Sequence, residues 1–166
     1  MLPELVRAGG SPMGARPKVM AGVRADFGHV VTGATDLPAG YSHWLIKFAA
    51  SENPTDAGPI EHAYVAMARA AGIRFPRTHL FEVRAGHRYF GVERFDRDPS
   101  NPTRRMHVHT LAGLLHYDHR LPSQDYADLL KVAWRLTEDR QEVIEAFRRM
   151  AYHTCVRCHL QLGNAG

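Results

Sequence analysis

At 166 residues the chain is long enough for one compact, core-bearing domain and short for two. Hydrophobic residues make up 45% and charged residues 23% of it, an ordinary soluble balance with no extreme that asks for a special class. The formal charge of +4 comes from arginines scattered along the chain, without a run of like charges; this argues against direct nucleic-acid binding, which needs a clustered basic face.

The N-terminus, Met1 to Arg7, lacks a charged segment followed by an apolar one, and no apolar stretch approaches the length of a membrane span. A cytoplasmic, soluble protein without membrane contact is therefore expected. Two cysteines do not make a disulfide scaffold.

In chain order, residues 9–18 form a glycine and proline cluster that opens into the apolar run Val19 to Val23, a loop feeding a strand. Residues 25–41 are turn-rich, and Tyr41 to Ala49 has the aromatic and β-branched content of a strand. After the polar stretch Ser51 to Gly58, Pro59 suits the first turn of a helix running to Ala71, with Gly72 at the stop position and Pro76 blocking continuation. Strands are predicted at Thr78 to Val83 and Tyr89 to Phe95, joined by a loop whose Gly86 can take a positive φ. Beyond the linker Asp98 to Pro102, the sequence predicts a helix over Leu111 to His116. A second is predicted over 124–137, with Ser123 as N-cap and Asp125 in its first turn. The last begins at Glu138, with Val143, Phe147, Met150, Thr154 and Cys158 as one apolar stripe. Sheet first and helices second is an α+β order. It divides the chain into 1–97 and 98–166, expected to form one compact unit.

Four features belong together in a phosphate-handling lobe: a glycine-containing turn, a strand with one lysine in an apolar stretch, a helix with an early glutamate, and a charged strand-to-linker junction. Loop amides can hold phosphate oxygens, the lysine supplies a point charge, and the glutamate orients it. Lys47 stands among Trp44, Leu45, Ile46 and Phe48, so it either meets an anion or protects a sheet edge from aggregation. Glu61 either pairs with that lysine or complements the positive end of the helix.

Several landmarks in order resemble HipA-family serine/threonine kinases: Ser11-Pro12-Met13-Gly14-Ala15-Arg16-Pro17-Lys18, Leu45-Ile46-Lys47, Glu61, Gly72-Ile73 with Pro76, Val92-Glu93-Arg94-Phe95-Asp96-Arg97, and His107 to Leu115. The resemblance implies a kinase-like N-lobe, an antiparallel sheet plus one helix, followed by a small group of helices from the start of a C-lobe. It implies ATP as the cofactor. Met13, Gly14, Ala15, Arg16, Pro17 and Lys18 would form the phosphate loop, Lys47 would hold nucleotide phosphates with Glu61 orienting it, and Glu93, Arg94 and Phe95 would hold the adenine. Ser11 matches a serine whose autophosphorylation silences such kinases; the alternative reading of it is a turn residue. Glu93 to Arg97 also reads as a solvated charge run around a buried Phe95.

The pattern breaks after Met150. The family continues into an Asn-x-Asp-Asp-His segment and a metal-binding aspartate, whereas ungapped continuation here places Leu160, Gln161 and Leu162 at the Asp-Asp-His positions. Leucine neither orients a hydroxyl nor holds the Mg2+ of the intact family. The resemblance thus implies a truncated kinase with no catalytic residue of its own. Its expected partners are a HipB-like DNA-binding antitoxin or a complementary C-lobe chain. Cys155-Val156-Arg157-Cys158-His159 fits the c-type haem attachment pattern, and His107, His109, His116 and His119 could suggest a metal site. Neither is assigned: haem attachment of this kind belongs outside the cytoplasm, and no carboxylate or cysteine cluster supports the histidines.

Overall fold

The computed structural model describes residues 17–32, 36–48, 57–82, 86, 88–98, 100–117 and 125–162, without side chains at 102, 103 and 157–162. It is an α+β protein, and its contacts divide it into two compact units: Met1–Ala66 with Phe75–His107, and Met67–Arg74 with Val108–Gly166.

The first unit holds strands β1 (Lys18–Arg24), β2 (Val30–Thr32), β3 (Tyr41–Lys47), β4 (Thr78–Glu82) and β5 (Arg88–Glu93) in an antiparallel sheet of order β2-β1-β3-β5-β4. Alternation explains the core. Val19, Ala21 and Val23 share one face of β1, and the register sets Ala21 opposite Trp44 and Val19 opposite Ile46, so the buried residues of β1 and β3 lie on the same side. Phe48 and Phe81 complete the buried cluster, with Phe27, Val30 and Tyr89 packed against it. Trp44 is 1% exposed, with the edges of Phe27 and Phe81 toward its ring.

Phe27 has φ +60, costly for a residue with a Cβ. The surroundings hold it there. Its amide donates to the Arg24 carbonyl at 2.8 Å, and its ring stacks on His79 at 3.8 Å between centroids. The stretch expected only to turn thus contains β2 as well. The linker expected at 98–102 is likewise part of a two-stranded hairpin, β6 (Arg97–Asp98) and β7 (Asn101–Arg105), with a register shift at Arg97/Asp98. Arg97 and Asp98 are charged and give no strand alternation, so pairing alone makes this hairpin visible.

Helix α1 (Ala57–Ala70) has Pro59 in its first turn, and the division between units falls within it. It ends as the sequence predicts. Gly72 takes φ +77, its amide donates to the Arg69 carbonyl at 2.9 Å, and the Ile73 amide reaches back to Ala68 at 3.0 Å. This is a Schellman closure, with Ile73 and Ala68 both buried. Gly86 also has the expected positive φ, +75.

The second unit contains α2 (Leu111–Leu114), α3 (Tyr126–Thr137) and α4 (Arg140–Leu162). Helix α2 is capped by Thr110, whose hydroxyl accepts from the Gly113 amide at 3.0 Å. It stops short of His116, which sits at φ +55. Asp125 is the N-cap of α3 rather than a first-turn residue, and its carboxylate accepts from the Ala127 amide at 3.3 Å. Ser123 lies outside the described residues. Glu138, expected to start the last helix, instead closes α3 in the left-handed region at φ +51. The Asp139 carboxylate then accepts from the Gln141 amide at 2.7 Å as α4 begins.

The expected stripe on α4 is not its buried face. Phe147 and Thr154 are exposed, whereas Glu145 is 6% exposed. Glu145 Oε1 accepts from the Arg74 amide at 3.0 Å and from Arg149 Nε at 3.0 Å, Arg149 also donates to the Arg74 carbonyl, and the Arg74 guanidinium donates to Glu142 at 2.7 and 2.8 Å. Burial pushes the Glu145 carboxyl up, but the Arg74 amide and the Arg149 guanidinium hold it below the usual range.

Candidate functional site

Lys47 ends β3, the middle strand of the five-stranded sheet. The edge-protection reading is therefore excluded: β1 and β5 flank it on both sides. Its Nζ donates to Glu61 Oε2 at 2.6 Å, with the two side chains 32% and 23% exposed. The ammonium also lies 5.5 Å from the centroid of the Phe90 ring, which offers its negative face to a cation. Phe90 is Lys47's cross-strand partner on β5, so strand register puts the two on one side of the sheet.

Glu61 carries a role that helix position does not explain. The first turn of α1 contains no acidic residue, so Glu61 lies past the reach of a terminal macrodipole effect. Register also puts Lys18 directly opposite Lys47 on β1. Two cationic stems side by side on one face repel unless carboxylates or phosphates neutralise them. Lys47 is thus an ammonium bonded to Glu61 and set beside a second cationic stem.

Of the residues expected to form a phosphate loop, Met13, Gly14, Ala15 and Arg16 lie outside the described residues, as does Ser11. Pro17 is described, and its carbonyl accepts from the Phe48 amide at 2.9 Å. This bond continues the β1–β3 ladder past Lys18 and Lys47.

The segment Glu93 to Phe95 leaves the sheet at the far end of β3. The Glu93 amide donates to the Arg77 carbonyl at 2.8 Å and the Arg94 amide to the His43 carbonyl at 2.8 Å. Both bonds hold the backbone in place as the strand ends. Glu93 and Arg77 approach to 4.0 Å. Arg94 makes a forked pair with Asp96 at 2.8 and 2.5 Å, which raises the Arg94 pKa and lowers that of Asp96. Phe95 is 65% exposed. The alternative in which it is a buried anchor inside a charge run does not hold, and its ring is open to a ligand.

A cleft of about 300 Å³ lies here, lined by Tyr41 to His43, Pro76, Glu93 to Phe95, Arg97, Asp98 and Met106. Sequence reading named Glu93 to Phe95 but missed His43 and Arg97, which reach the cleft only through β3–β5 pairing and the β6–β7 hairpin. His43 is buried, and its pKa is pushed down by that burial and then by Arg97 and Arg94. Alternation along β3 signals its placement, because residues 43, 45 and 47 share a face.

The histidine-rich stretch is described at His107, His109 and His116, while His119 lies outside. Among the described residues no group of three His, Cys, Asp or Glu side chains could hold a metal ion. Cys155 is exposed with a free thiol, and the side chains of Cys158 and His159 lie outside the described residues. None of the described helices is long and apolar enough to cross a membrane.

The middle strand of the sheet thus carries a lysine bonded to a helix glutamate, and the charged exit of β5 borders a cleft. The family model for the HipA-like C-terminal domain matches residues 10–159, and the chain belongs to that family. No curated protein matches it.

Proposed function

We propose that the sheet lobe binds ATP, with its phosphates at Lys47 and its adenine along Glu93 to Phe95, and that the chain by itself does not transfer the phosphoryl group. The observation that carries this is the 2.6 Å bond between Lys47 Nζ and Glu61 Oε2, the pair that protein kinases use to position nucleotide phosphates. Its reach supports the reading. His43, beside the cleft, and Lys47 are four residues apart on one extended strand, about 13 Å at roughly 3.3 Å per residue. A base at the cleft and phosphates at the lysine fit that span.

The residues suit ATP better than they suit its Mg2+. Among the described residues, the carboxylate bonded to Lys47 is Glu61, already committed to the ammonium. Leu160, Gln161 and Leu162, at the positions where the family resemblance expects Asp-Asp-His, belong to α4. No carboxylate there orients a hydroxyl or holds a metal, so a HipA-like serine/threonine kinase that has lost phosphotransfer is the reading that agrees with these residues. Thermal unfolding with and without ATP tests it. ATP should raise the midpoint in the parent protein and leave Lys47→Ala unchanged; absence of a shift in the parent overturns nucleotide binding. Incorporation of labelled γ-phosphate into any protein by the purified chain overturns the loss of transfer.

A second reading concerns partners and rests on exposed apolar side chains of the second unit, Tyr126, Trp134 and Leu136 on α3 and Phe147 on α4. Such groups cover themselves by association. A complementary C-lobe chain, supplying the missing carboxylates, or a HipB-like DNA-binding antitoxin of a toxin-antitoxin pair would do so. Co-purification with the products of neighbouring genes is the test, and recovery of neither class counts against the reading.

A further inference from the structure

The two faces of the sheet differ. Trp44 and Ile46 belong to the core cluster, whereas His43, Leu45 and Lys47 share the opposite face of β3, with Met20 of β1 and Val92 of β5 on either side of Leu45. Trp44 stands opposite Glu93, so Arg94 comes opposite His43, and its amide donates to the His43 carbonyl there at 2.8 Å. Arg94 therefore belongs to the face that carries Lys47.

The Arg94 side chain runs across that face. Its Nε and Nη2 hold Asp96, and its Nη1 donates to Met20 Sδ. Strand β3 lies between β5 and β1, so a side chain rooted at the exit of β5 and touching β1 passes over the His43–Leu45 stretch, across two strand spacings of about 4.8 Å each. The two ends are unequal. The Asp96 fork is charge-assisted and its side chains are largely covered, whereas Met20 is 46% exposed and its thioether is a weak acceptor. One end anchors the arm and the other can let go.

We infer that Arg94 is a strap across the ligand face of the sheet, closed on Met20 in the free chain and released from it when a nucleotide lies along β3. The inference rests on the nucleotide reading above, because a base at Glu93 to Phe95 and phosphates at Lys47 span the stretch that the strap crosses. Opening at Met20 leaves the Asp96 fork intact, so no charge is stranded when the arm moves. Closure lowers the apparent affinity in proportion to the fraction of molecules that are open.

The test follows the Met20 methyl of the intact chain by NMR, assigned through its backbone. In the free chain that methyl should show cross-relaxation with the Arg94 side-chain protons, and saturating ATP should abolish it. Met20→Leu keeps the volume but removes the sulfur acceptor; it should bind ATP about two- to fivefold more tightly by calorimetry, the effect of deleting one weak hydrogen bond from the closed state. No cross-peak in the free chain overturns the strap whatever ATP does. ATP binding with the cross-peak retained, or with unchanged or weaker affinity in Met20→Leu, overturns the strap and leaves the nucleotide reading standing. ATP binding to neither protein overturns that reading and the strap together. The cross-peak and its loss are read on the parent chain and decide the matter even if Met20→Leu fails to fold.

Discussion

The two units are built on different principles. In the first, strand alternation concentrates aromatic and β-branched side chains on one face, and Trp44 is 1% exposed at the centre of an edge-to-face cluster. In the second, α3 has no fully buried residue and Trp134 is 51% exposed. A buried carboxylate, Glu145, joins α4 to the turn at Arg74. The larger apolar cluster belongs to the first unit, while the second combines the buried Ala68 and Ile73 with directed hydrogen bonds and caps. The lesson is that the unit with its own core also carries the candidate site: positioning a lysine against a glutamate requires strands that cannot slide, because a one-residue slip would turn Lys47 to the other face.

The sharpest way to break that contrast is to truncate the two tryptophans. Trp44→Ala should cost about 3–5 kcal/mol in denaturant unfolding, the usual loss for an aromatic deleted from a core, whereas Trp134→Ala should change stability by about 0.5 kcal/mol or less. Equal losses would show that α3 is covered and that the contrast is false. The chain has two tryptophans, one in each unit, so fluorescence of the single-tryptophan variants separates the two transitions.

A smaller effect is expected at Glu145. Glu145→Ala strands the Arg74 amide and leaves Arg149 with the Arg74 carbonyl alone of these two partners, a loss of about 1–3 kcal/mol for a buried acceptor. The loss should appear in Trp134 fluorescence and in faster exchange of the Arg74 amide. If the Trp44 transition shifts equally, the carboxylate supports both units and the division of labour fails.

The smallest effect is pH dependence in the first unit. Burial lowers the pKa of His43 and of His79, with Arg97 and Arg94 contributing at His43 and His62 at His79. The unfolded chain therefore takes up protons at these positions before the folded one does. Stability is constant above the ordinary histidine pKa of about 6.5 and declines as pH falls below it toward the depressed folded values. Asp96, held below its ordinary value chiefly by its bonds to Arg94, adds a second decline below about pH 4. His43→Asn should flatten the first decline, and an unchanged slope in that variant and in His79→Asn would place the proton uptake elsewhere.

Local chemistry made much of the fold legible before any coordinates. Pro59 and Gly72 bracket α1 because one lacks an amide proton and the other accepts positive φ. The apolar alternation of β1 and β3 marks their buried face. The elements that sequence reading missed or misplaced are those whose cause is not local. The β6–β7 hairpin contains no alternation, and the apolar spacing on α4 selects a stripe that includes exposed Phe147 while the fold buries Glu145 between arginines.

The same division runs through the candidate site. Lys47, Glu61 and Glu93 to Phe95 were nameable as residue types in a particular order, since a lone lysine in an apolar strand is unusual chemistry wherever it occurs. Only tertiary structure could decide that β3 is the middle strand, that Glu61 reaches Lys47 at 2.6 Å, and that Arg97 has a buried Nε without a partner among the described residues. Sequence by itself determines side-chain chemistry and periodicity, which are local properties. Which strand lies beside which, and which charge is left uncompensated, depends on pairings between distant residues whose energies are set by geometry once the chain has closed on itself.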